Sequence, residues 1–403
     1  MDVKALVLSL AFSLTLFSCN QNTSPLSSIE RYPAYEEEDF TKTNADEDDH
    51  EIKESEAKVS RYYIHTPLQY AFLNSSLNHI SDFATGSREL SHPKGIKLSF
   101  SQDGLPALET NGNYHVQISL KDDFSNPKYY STNTQNVTFK NLLLNTTYYW
   151  RASASFDFSA SKIHSFTTES LAPRNLEVGG ITNVRDCGGY ESKYGYYINQ
   201  GLAYRGGRLN KSDLDHVQIE LTEEGKEVFL EDLGIKTEID LRASYTKYQD
   251  KESGRMFDGA IDGLKYYSCS IDWHVANRMR KFGDTEIKNV FEILGNKDNY
   301  PVYFHCNIGT DRTGLIAYLL GNILGEKRDD LYCDYLFSNF GNINGSRPYT
   351  NLQSTVMTEY NDNLNAFSGD TMAIKTEHYL TEYCGVAQSC IDSIKSIFLT
   401  EKI

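Results

Sequence analysis

This sequence has few basic residues relative to its acidic ones. Its 403 residues include 55 aspartates and glutamates but only 39 lysines and arginines, which gives a formal net charge of −16 at pH 7. No stretch of the chain forms a basic stripe. Because proteins that bind a phosphodiester backbone cluster lysine and arginine on one surface, the composition excludes nucleic acid as a partner.

The sequence also lacks a hydrophobic run long enough to span a bilayer, which takes ~20 residues. Its one apolar run near the beginning, Ala5 to Phe17, follows Lys4 and precedes Ser18 and Cys19. A basic residue, a short apolar core and a processing site are typical of an export signal. Residues 1–18 are therefore predicted to be a signal peptide.

The processing site suggests how the protein is held after export. Leu16-Phe17-Ser18-Cys19 resembles a bacterial lipobox, in which the cysteine is acylated and becomes the first mature residue. Asn20 after it resembles the pattern that is sent on to the outer membrane. The resemblance implies a lipoprotein exported and anchored to the outer membrane through Cys19, on its periplasmic or surface face. A plain secretory peptide cut near Ser18 is the alternative.

Metal-ligand clusters are missing as well. The ten histidines do not stand near cysteine, aspartate or glutamate at ligand spacings, so we expect neither a metal nor another cofactor. Cysteines are few, and Cys384 and Cys390 are close enough in sequence to pair across a turn. Connectivity is not readable from spacing, so that pairing stays open.

Three further segments follow the signal. Residues 19–60 are rich in acidic and poor in apolar residues, which predicts a disordered tether. Residues 61–169 contain short alternating runs, at 96–100, 114–120, 137–139 and 148–153, that predict a β-sandwich. Residues 170–403 alternate helical and strand-like patterns, which predicts an α/β domain with a central sheet flanked by helices.

The β segment also resembles a known module. Leu142 to Arg151, followed by Ile163 to Thr168, is similar to the last strands of a fibronectin type III domain, an immunoglobulin-like all-β sandwich. The resemblance implies that Tyr149 is the tyrosine-corner residue. Such a module carries no chemistry, so we interpret it as a spacer, or as a docking module for an unknown partner.

The most informative stretch of the chain is His305-Cys306-Asn307-Ile308-Gly309-Thr310-Asp311-Arg312-Thr313-Gly314. An apolar strand-like run precedes it and a helical run follows it. A loop between a strand and a helix directs backbone N–H groups and the positive end of the helix toward one point. There the pKa of a thiol is lowered, and Arg312, six residues after Cys306, can hold two phosphoryl oxygens with its planar fork.

This loop carries the Cys-x5-Arg-Ser/Thr signature of the protein tyrosine phosphatase superfamily. Two further motifs, Asn183-Val-Arg-Asp-Cys-Gly-Gly-Tyr190 and Ile239-Asp-Leu-Arg242, together with the Asp-Arg-Thr-Gly ending of the loop, resemble its bacterial branch over residues 175–399. That branch also contains enzymes acting on phosphoinositides. Cys187 stands where the branch has an apolar residue, and Thr310 where many members carry lysine.

The resemblance implies a role for each residue of the loop. Cys306 would be the nucleophile, and Thr313 would hydrogen-bond the thiolate as it leaves. Arg312 and the N–H groups of residues 307–312 would bind the phosphoryl oxygens. These phosphate-binding positions are Asn307, Ile308, Gly309, Thr310, Asp311 and Arg312.

Two aspartates compete for the role of general acid. Asp272 lies 34 residues before Cys306 and resembles the acid-loop position of the superfamily. Asp311 lies inside the loop, and the branch is thought to use it in catalysis. Alternatively, Asp311 braces the loop or pairs with Arg185. We expect Asp272 first and Asp311 second.

Supporting roles are predicted for four more residues. Arg185, Asp186 and Arg242 are expected to brace the loop from behind, and His305 to hold it locally or to be a satisfied core histidine. A protective disulfide between Cys187 and Cys306 is a further hypothesis.

The sequence thus predicts a cysteine-dependent phosphomonoesterase that needs no cofactor. Its substrate would be a phosphoprotein carrying phosphotyrosine, with a phosphoinositide lipid or another small phosphomonoester as the alternative. A catalytically silent binding lipoprotein is the rival interpretation. Sulfur transfer, which also uses a cysteine in a loop before a helix, does not require the Arg312-Thr313-Gly314 ending.

Overall fold

The protein is described from a computed structural model, which defines residues 50–52, 61–87, 93–100, 112–210, 219–242, 259–271, 279 and 284–401. The predicted export signal with Cys19 lies outside these residues, as does nearly all of the predicted tether. Along the described ranges, no helix combines the length and the apolar composition needed to cross a membrane.

The described strands and helices follow in chain order. The strands are β1 His50–Ile52, β2 Arg61–Tyr62, β3 Ile96–Ser99, β4 Tyr114–Ser119, β5 Lys128–Thr132, β6 Asn136–Phe139, β7 Thr147–Ser153, β8 His164–Thr168, β9 Arg185–Asp186, β10 Tyr196–Ile198, β11 Ala203–Gly206, β12 Thr237–Asp240, β13 Lys265–Ser268, β14 Val302–His305 and β15 Leu399–Glu401. The α-helices are α1 Pro67–Leu73, α2 Ile80–Phe83, α3 Glu223–Glu227, α4 Asp284–Leu294, α5 Asp311–Leu324, α6 Arg328–Phe337, α7 Tyr349–Asn351, α8 Met357–Leu364, α9 Met372–His378 and α10 Gln388–Phe398.

The first strands form two sheets, in the orders β1-β3-β6 and β2-β8-β7-β4-β5. Alternate side chains of each sheet point into one shared core, to which β3 and β6 contribute Leu98 and Phe139, and β4 and β7 contribute Val116 and Trp150. The strands predicted near 96–100, 114–120, 137–139 and 148–153 are confirmed. The likeness to a fibronectin type III sandwich stays a prediction.

The tyrosine-corner assignment was one residue off. The hydroxyl of Tyr148 accepts a hydrogen bond from the backbone N–H of Leu143 at 2.8 Å, and Tyr148 is buried. Tyr149 stands on the opposite face of β7 and is partly exposed. Because successive side chains of a strand alternate faces, only one of two adjacent tyrosines can turn back into the core.

Helices α1 and α2 were not predicted, since residues 61–169 were expected to be all β. Thr66 caps α1 in a capping box with Gln69, and Pro67 occupies the first helical position. This is a helix start that the sequence displays openly. Phe72 of α1 packs against Phe340 with ring centroids 5.8 Å apart, so the helix faces the C-terminal part of the chain.

The central sheet of the C-terminal part has the order β13-β12-β14-β11-β9. Its first four strands are parallel, and β9 is an antiparallel edge strand. Helix α5 packs on β11 and β14. From the segment after α3, Phe229 packs edge-on against Tyr303 of β14 at 5.0 Å. This mixed α/β sheet confirms the α/β prediction, and the carboxyl ends of its parallel strands meet at one edge, where ligands bind in such folds.

Buried and part-buried hydrogen bonds join the two parts near the predicted boundary. The guanidinium of Arg174 donates through Nε to the carbonyl of Leu142 at 2.9 Å. The Gln200 amide accepts from the N–H of Leu144 at 2.8 Å and donates to its carbonyl at 3.0 Å. The C-terminal part is therefore braced by the sheets that precede it, and the boundary at 169/170 remains a prediction.

Candidate active site

The candidate site is the loop between β14 and α5, at the carboxyl edge of the parallel sheet. Cys306 directly follows β14, is 2% exposed and is a free thiol. Gly309 has a φ of 73°, and a Cβ added there would lie 2.3 Å from the carbonyl carbon of Gly206. Only glycine fits this position, because both the backbone conformation and the close approach exclude a side chain.

Neighbouring side chains donate hydrogen bonds to the carbonyls of the loop, whereas three of its N–H groups find no acceptor among the described residues. Asn183 donates through Nδ2 to the carbonyl of Ile308 at 3.1 Å. Arg205 donates through Nη2 to the carbonyls of Gly309 at 2.9 Å and Thr310 at 3.3 Å. Within the described part of the chain, the N–H groups of Ile308, Gly309 and Thr310 have no acceptor. Such a set of unpaired donors is suited to the oxygens of an anion.

The electrostatics of the loop favour a thiolate at Cys306. Burial opposes its ionisation most strongly, but the positive charge of Arg312 and hydrogen bonding by Thr313 outweigh it and lower the pKa of the thiol below its ordinary value of 9.0. Asp311 acts weakly in the opposite direction. The Thr313 hydroxyl has no oxygen or nitrogen partner among the described residues, so it is available to the sulfur.

The lowered pKa of Cys306 and the raised pKa of Cys390 predict how these two thiols react with iodoacetamide. The pKa of Cys390 is raised by burial and by the negative charge of Glu292. Because only the thiolate reacts, alkylation of Cys306 should persist as the pH falls below 9, whereas alkylation of Cys390 should fade. Peptide mass spectrometry of pulse-labelled protein between pH 5 and 9 measures both. Equal loss of labelling at the two cysteines would contradict the lowered pKa.

His305 braces the base of the loop. Its Nδ1 lies 3.0 Å from the carbonyl oxygen of Cys306, and its Nε2 lies 3.0 Å from Oε1 of Glu238 on β12. His305 therefore has a hydrogen-bond partner at each ring nitrogen, and the two partners fix the orientation of the ring. Both side chains are buried, which agrees with the interpretation as a satisfied core histidine.

Arg242 is held beside the loop by its neighbour. Asp240 is paired with His305 across the sheet, and it accepts from Arg242 through Nη2 at 2.8 Å and from the Tyr266 hydroxyl at 2.9 Å. Burial opposes the charge of Asp240, but Arg242 and His305 keep its pKa well below the ordinary range. Asp240 thus fixes Arg242 at the carboxyl edge.

Arg185 and Asp186 take different partners from those expected. Arg185 donates through Nε to Asp334 at 2.6 Å and through Nη1 to the carbonyl of Asn183 at 3.3 Å, and Asn183 in turn bonds the loop. Asp186 accepts from Arg174 at 2.7 Å and from the N–H groups of Gly188 and Gly201 at 2.8 and 2.7 Å. The prediction that Asp186 braces the loop was wrong: β9 turns its side chain toward Arg174, near the β-sheet part.

Asp311 is engaged on both oxygens. Its Oδ1 accepts from the hydroxyl of Tyr335 at 2.9 Å, and its Oδ2 accepts from Nη2 of Arg347 at 3.2 Å. The suggested pairing with Arg185 was wrong, since Arg185 is committed to Asp334. These contacts give Asp311 a bracing role at the start of α5, where a negative charge is also favoured by the helix dipole.

The other acid candidate, Asp272, lies outside the described residues. Its neighbour Ile271 donates its N–H to the carbonyl of Leu241 at 3.2 Å, and Leu241 donates its own N–H to the carbonyl of His305 at 2.8 Å. The chain therefore reaches the edge of the sheet that carries Cys306 at the residue before Asp272.

Several residues of the site were not singled out from the sequence. Arg205 holds the loop carbonyls, and Arg208 donates through Nη1 to Oδ1 of Asn307 at 2.8 Å. Two arginines around a glycine pair, at the carboxyl end of a buried strand, were a readable signal. Arg347 gave none, because only the tertiary fold brings it to Asp311.

The register of the sheet separates Cys187 from Cys306. The N–H of Cys187 donates to the carbonyl of Ala203, which is paired with Val302. Cys306 lies four residues beyond Val302, or roughly 13 Å along the strand at ~3.3 Å per residue. A disulfide requires Cα atoms within ~7 Å, so the protective disulfide was a wrong expectation.

The pairing of Cys384 with Cys390 is also not found. Cys390 is a free thiol that donates to the carbonyl of Phe291 at 3.1 Å. It thereby joins α10 to α4, at a point where a Cβ on Gly295 would lie 2.2 Å from the Cys390 sulfur.

Comparison with known proteins now decides the family. The model of the tyrosine phosphatase family matches residues 176–400, more than half of the chain. The chain belongs to the tyrosine phosphatase family. This membership supports a cysteine-based phosphatase, a hydrolase, and agrees with the loop geometry around Cys306.

One curated relative shares about a quarter of its aligned residues with this chain. A tyrosine-protein phosphatase of Cupriavidus necator is 26% identical over 179 residues, which cover 40% of this chain and 61% of that protein. The chain thus spans about three fifths of the length of this curated relative.

Solved structures show only slight likeness. The catalytic domain of the PP-IP phosphatase SIW14 from S. cerevisiae is 15% identical, with a TM-score of 0.27 over 44% of this chain and 93% of that one. TpbA of P. aeruginosa is 15% identical, with a TM-score of 0.24 over 50% of this chain and 89% of that one. At these TM-scores neither likeness carries an argument about this protein.

Proposed function

We propose that this protein hydrolyses phosphomonoesters through a phosphocysteine intermediate on Cys306, and that its substrate is phosphotyrosine in protein. One observation carries the proposal. A buried thiol whose pKa is lowered stands in a loop whose N–H groups at Ile308, Gly309 and Thr310 lack acceptors among the described residues. A nucleophile and an oxyanion cradle in one loop are what phosphoryl transfer requires.

The reaction would proceed in two displacements. In the first, the Cys306 thiolate attacks phosphorus, the bond to the ester oxygen breaks, and a general acid protonates the leaving phenol. In the second, water attacks the phosphocysteine and gives a proton to the carboxylate left by the first step, the S–P bond breaks, and phosphate and the Cys306 thiolate are released. Arg312 and the loop N–H groups stabilise the equatorial oxygens in both steps, and Thr313 donates to the departing thiolate.

Asp272 is the general acid in this proposal. Asp311 is less suited to that role, because Tyr335 and Arg347 already donate to its two oxygens. A carboxyl group that must release a proton and regain it each cycle needs an oxygen open to the substrate. The position of Ile271 at the sheet edge places the chain near the loop just before Asp272.

Two observations favour phosphotyrosine over a phosphoinositide. Thr310 stands where many members of the bacterial branch carry lysine, and here it is buried and accepts from Asn183 at 3.2 Å. It therefore offers no cation to a second phosphate. The curated relative in Cupriavidus necator is also named as a tyrosine-protein phosphatase.

A substrate panel tests the proposal. The full chain, purified under reducing conditions in EDTA, would be assayed against phosphotyrosine peptides, matched phosphoserine peptides and phosphoinositide vesicles. We expect turnover of phosphotyrosine with kcat/KM highest in that group. Preference for the vesicles would mean that the substrate is a phosphoinositide and not phosphotyrosine. Dependence of turnover on an added metal would refute the cofactor-free chemistry.

The cellular setting is part of the same proposal. Export and lipid anchoring through Cys19 rest on residues 1–20 of the sequence. A membrane-bound phosphatase outside the cytoplasm would act on exported phosphoproteins or on phospholipid, with the first β-sheets as its spacer.

A further inference from the structure

We infer that Asp334 of α6 is a positioning residue for the candidate site. Through two arginines it orients the loop that follows Cys306, and it does not itself touch substrate. Asp334 lies 28 residues after Cys306 in the chain. Its carboxylate is the point where two hydrogen-bonded arms meet, and both arms end on carbonyls of the loop from Ile308 to Thr310. The inference rests on the proposed function for its turnover readout.

The first arm runs through Arg205. This side chain pairs with Oδ2 of Asp334 through Nη1 and donates through Nη2 to the carbonyls of Gly309 at 2.9 Å and Thr310 at 3.3 Å. Arg205 is 1% exposed, so water does not replace these donors. Its guanidinium is a rigid plane, and its orientation is set by Asp334.

The second arm runs through Arg185 and Asn183. Arg185 donates through Nε to Oδ1 of Asp334 at 2.6 Å, and its Nη1 binds Oδ1 of Asn183. Asn183 then donates through Nδ2 to the carbonyl of Ile308 at 3.1 Å and to the hydroxyl of Thr310 at 3.2 Å. Asn183 has a φ of 61°, a left-handed conformation that asparagine tolerates better than most residues. The arm therefore ends on a side chain held in an uncommon backbone position.

Fixing these carbonyls also fixes the N–H groups. In a planar trans peptide the C=O of one residue and the N–H of the next point in opposite directions. The carbonyls of Ile308, Gly309 and Thr310 point toward the side chains of Asn183 and Arg205. The N–H group of the residue after each carbonyl therefore points away from these side chains. The two arms thus set the direction of the Gly309 and Thr310 donors, while the Thr310 carbonyl also accepts from the N–H of Gly314 at 2.8 Å.

A neighbouring carboxyl group provides a matched control. Glu326 and Asp334 both line a small cavity of about 20 Å³ beside α5, and their exposures are 8% and 9%. Burial, with the negative charges of Asp334 and Asp330, raises the pKa of Glu326 well above its ordinary value. In contrast, Arg185 and Arg205 overcome the effect of burial and lower the pKa of Asp334. Glu326 makes no hydrogen bond to the loop within the described residues.

The test compares Asp334→Asn with Glu326→Gln in the full chain. The asparagine keeps the shape of the side chain but turns an N–H group toward one arginine, so one arm is released. We expect kcat to fall roughly 10²-fold, as for a small misplacement of reacting groups, with a smaller change in KM. The pH profile of Cys306 alkylation should also move to higher pH. Glu326→Gln should stay within about threefold of wild type in both measurements, since among the described residues Glu326 makes no hydrogen bond to the loop or to the two arginines.

A second variant covers the case in which Asp334→Asn does not fold. Arg205→Lys keeps a cation beside Asp334 but cannot also hold two carbonyls, so it should lower kcat and shift alkylation in the same direction. Where both single variants fold, their double variant should lose less than the product of the two losses, because Asp334→Asn removes the charge that holds Arg205 as well as Arg185 and so already weakens the arm that Arg205→Lys interrupts. Folded variants with wild-type kcat and alkylation profile would overturn the inference, as would losses that multiply.

The alkylation readout separates this inference from the proposed function. It needs no turnover, so a protein without phosphatase activity can still show the shift in Asp334→Asn. That outcome would refute the function and support the positioning role. Active variants with an unmoved profile and unmoved kcat would do the reverse.

Discussion

We expect Cys306→Ser to lower kcat for a phosphotyrosine peptide by on the order of 10⁴-fold or more, because a covalent nucleophile is removed. The hydroxyl of serine has a far higher pKa than the thiol, and the charge of Arg312 that lowers the pKa of Cys306 cannot ionise it at neutral pH. The measurement is steady-state turnover at saturating substrate. Binding of the substrate should persist, because the loop N–H groups and Arg312 remain.

The control for this variant is Cys390→Ser, which replaces a half-buried thiol that bonds the carbonyl of Phe291 on α4. It should leave kcat within about twofold of wild type, since its hydrogen bond to Phe291 is structural. Turnover by Cys306→Ser at a rate near that of wild type would show that the chemistry does not pass through this sulfur.

Arg312→Lys is expected to lower kcat/KM by roughly 10³-fold, or about 4 kcal/mol of transition-state stabilisation. Arginine presents two parallel donors to two oxygens, whereas lysine offers a single charged group on a flexible stem. Arg312 is 6% exposed on the first turn of α5, so its fork is already held in place. The loss should appear in kcat as well as KM, because charge builds up on the equatorial oxygens in the transition state.

The same substitution at an exposed position is the control. Arg328 at the start of α6 has a side chain that is 64% exposed and pairs with Asp329 at 3.4 Å. Arg328→Lys should change kcat/KM by less than about twofold, in keeping with the small effect of surface ion pairs. If Arg312→Lys were equally harmless, the phosphoryl clamp would have to be assigned elsewhere.

The parts of the site that the sequence could predict are those built from contiguous residues. Cys306, Arg312 and Thr313 lie within one strand, loop and helix start, whose local geometry follows from chain direction and glycine positions. The parallel sheet was also predictable, because buried strands alternate with helices along residues 170–403. Both conclusions needed only short-range pattern.

What the sequence could not give is the pairing of buried charges. Asp311, Asp186 and Arg185 each had several possible partners, and the choice depends on which face of β9 or α5 meets which neighbour. Arg347 reaches Asp311 across 36 residues of chain. The tyrosine corner failed for a related reason, since a shift of one residue exchanges the two faces of a strand.

Trapping the intermediate tests the central claim most directly. Wild-type protein mixed with a phosphotyrosine peptide would be quenched within milliseconds, and its peptides analysed by mass spectrometry under conditions that keep thiophosphate esters intact. The account predicts one phosphoryl group on the peptide that contains Cys306, and none on that peptide in Cys306→Ser. Turnover without any phosphorylated cysteine, or with phosphate on another residue, would contradict it.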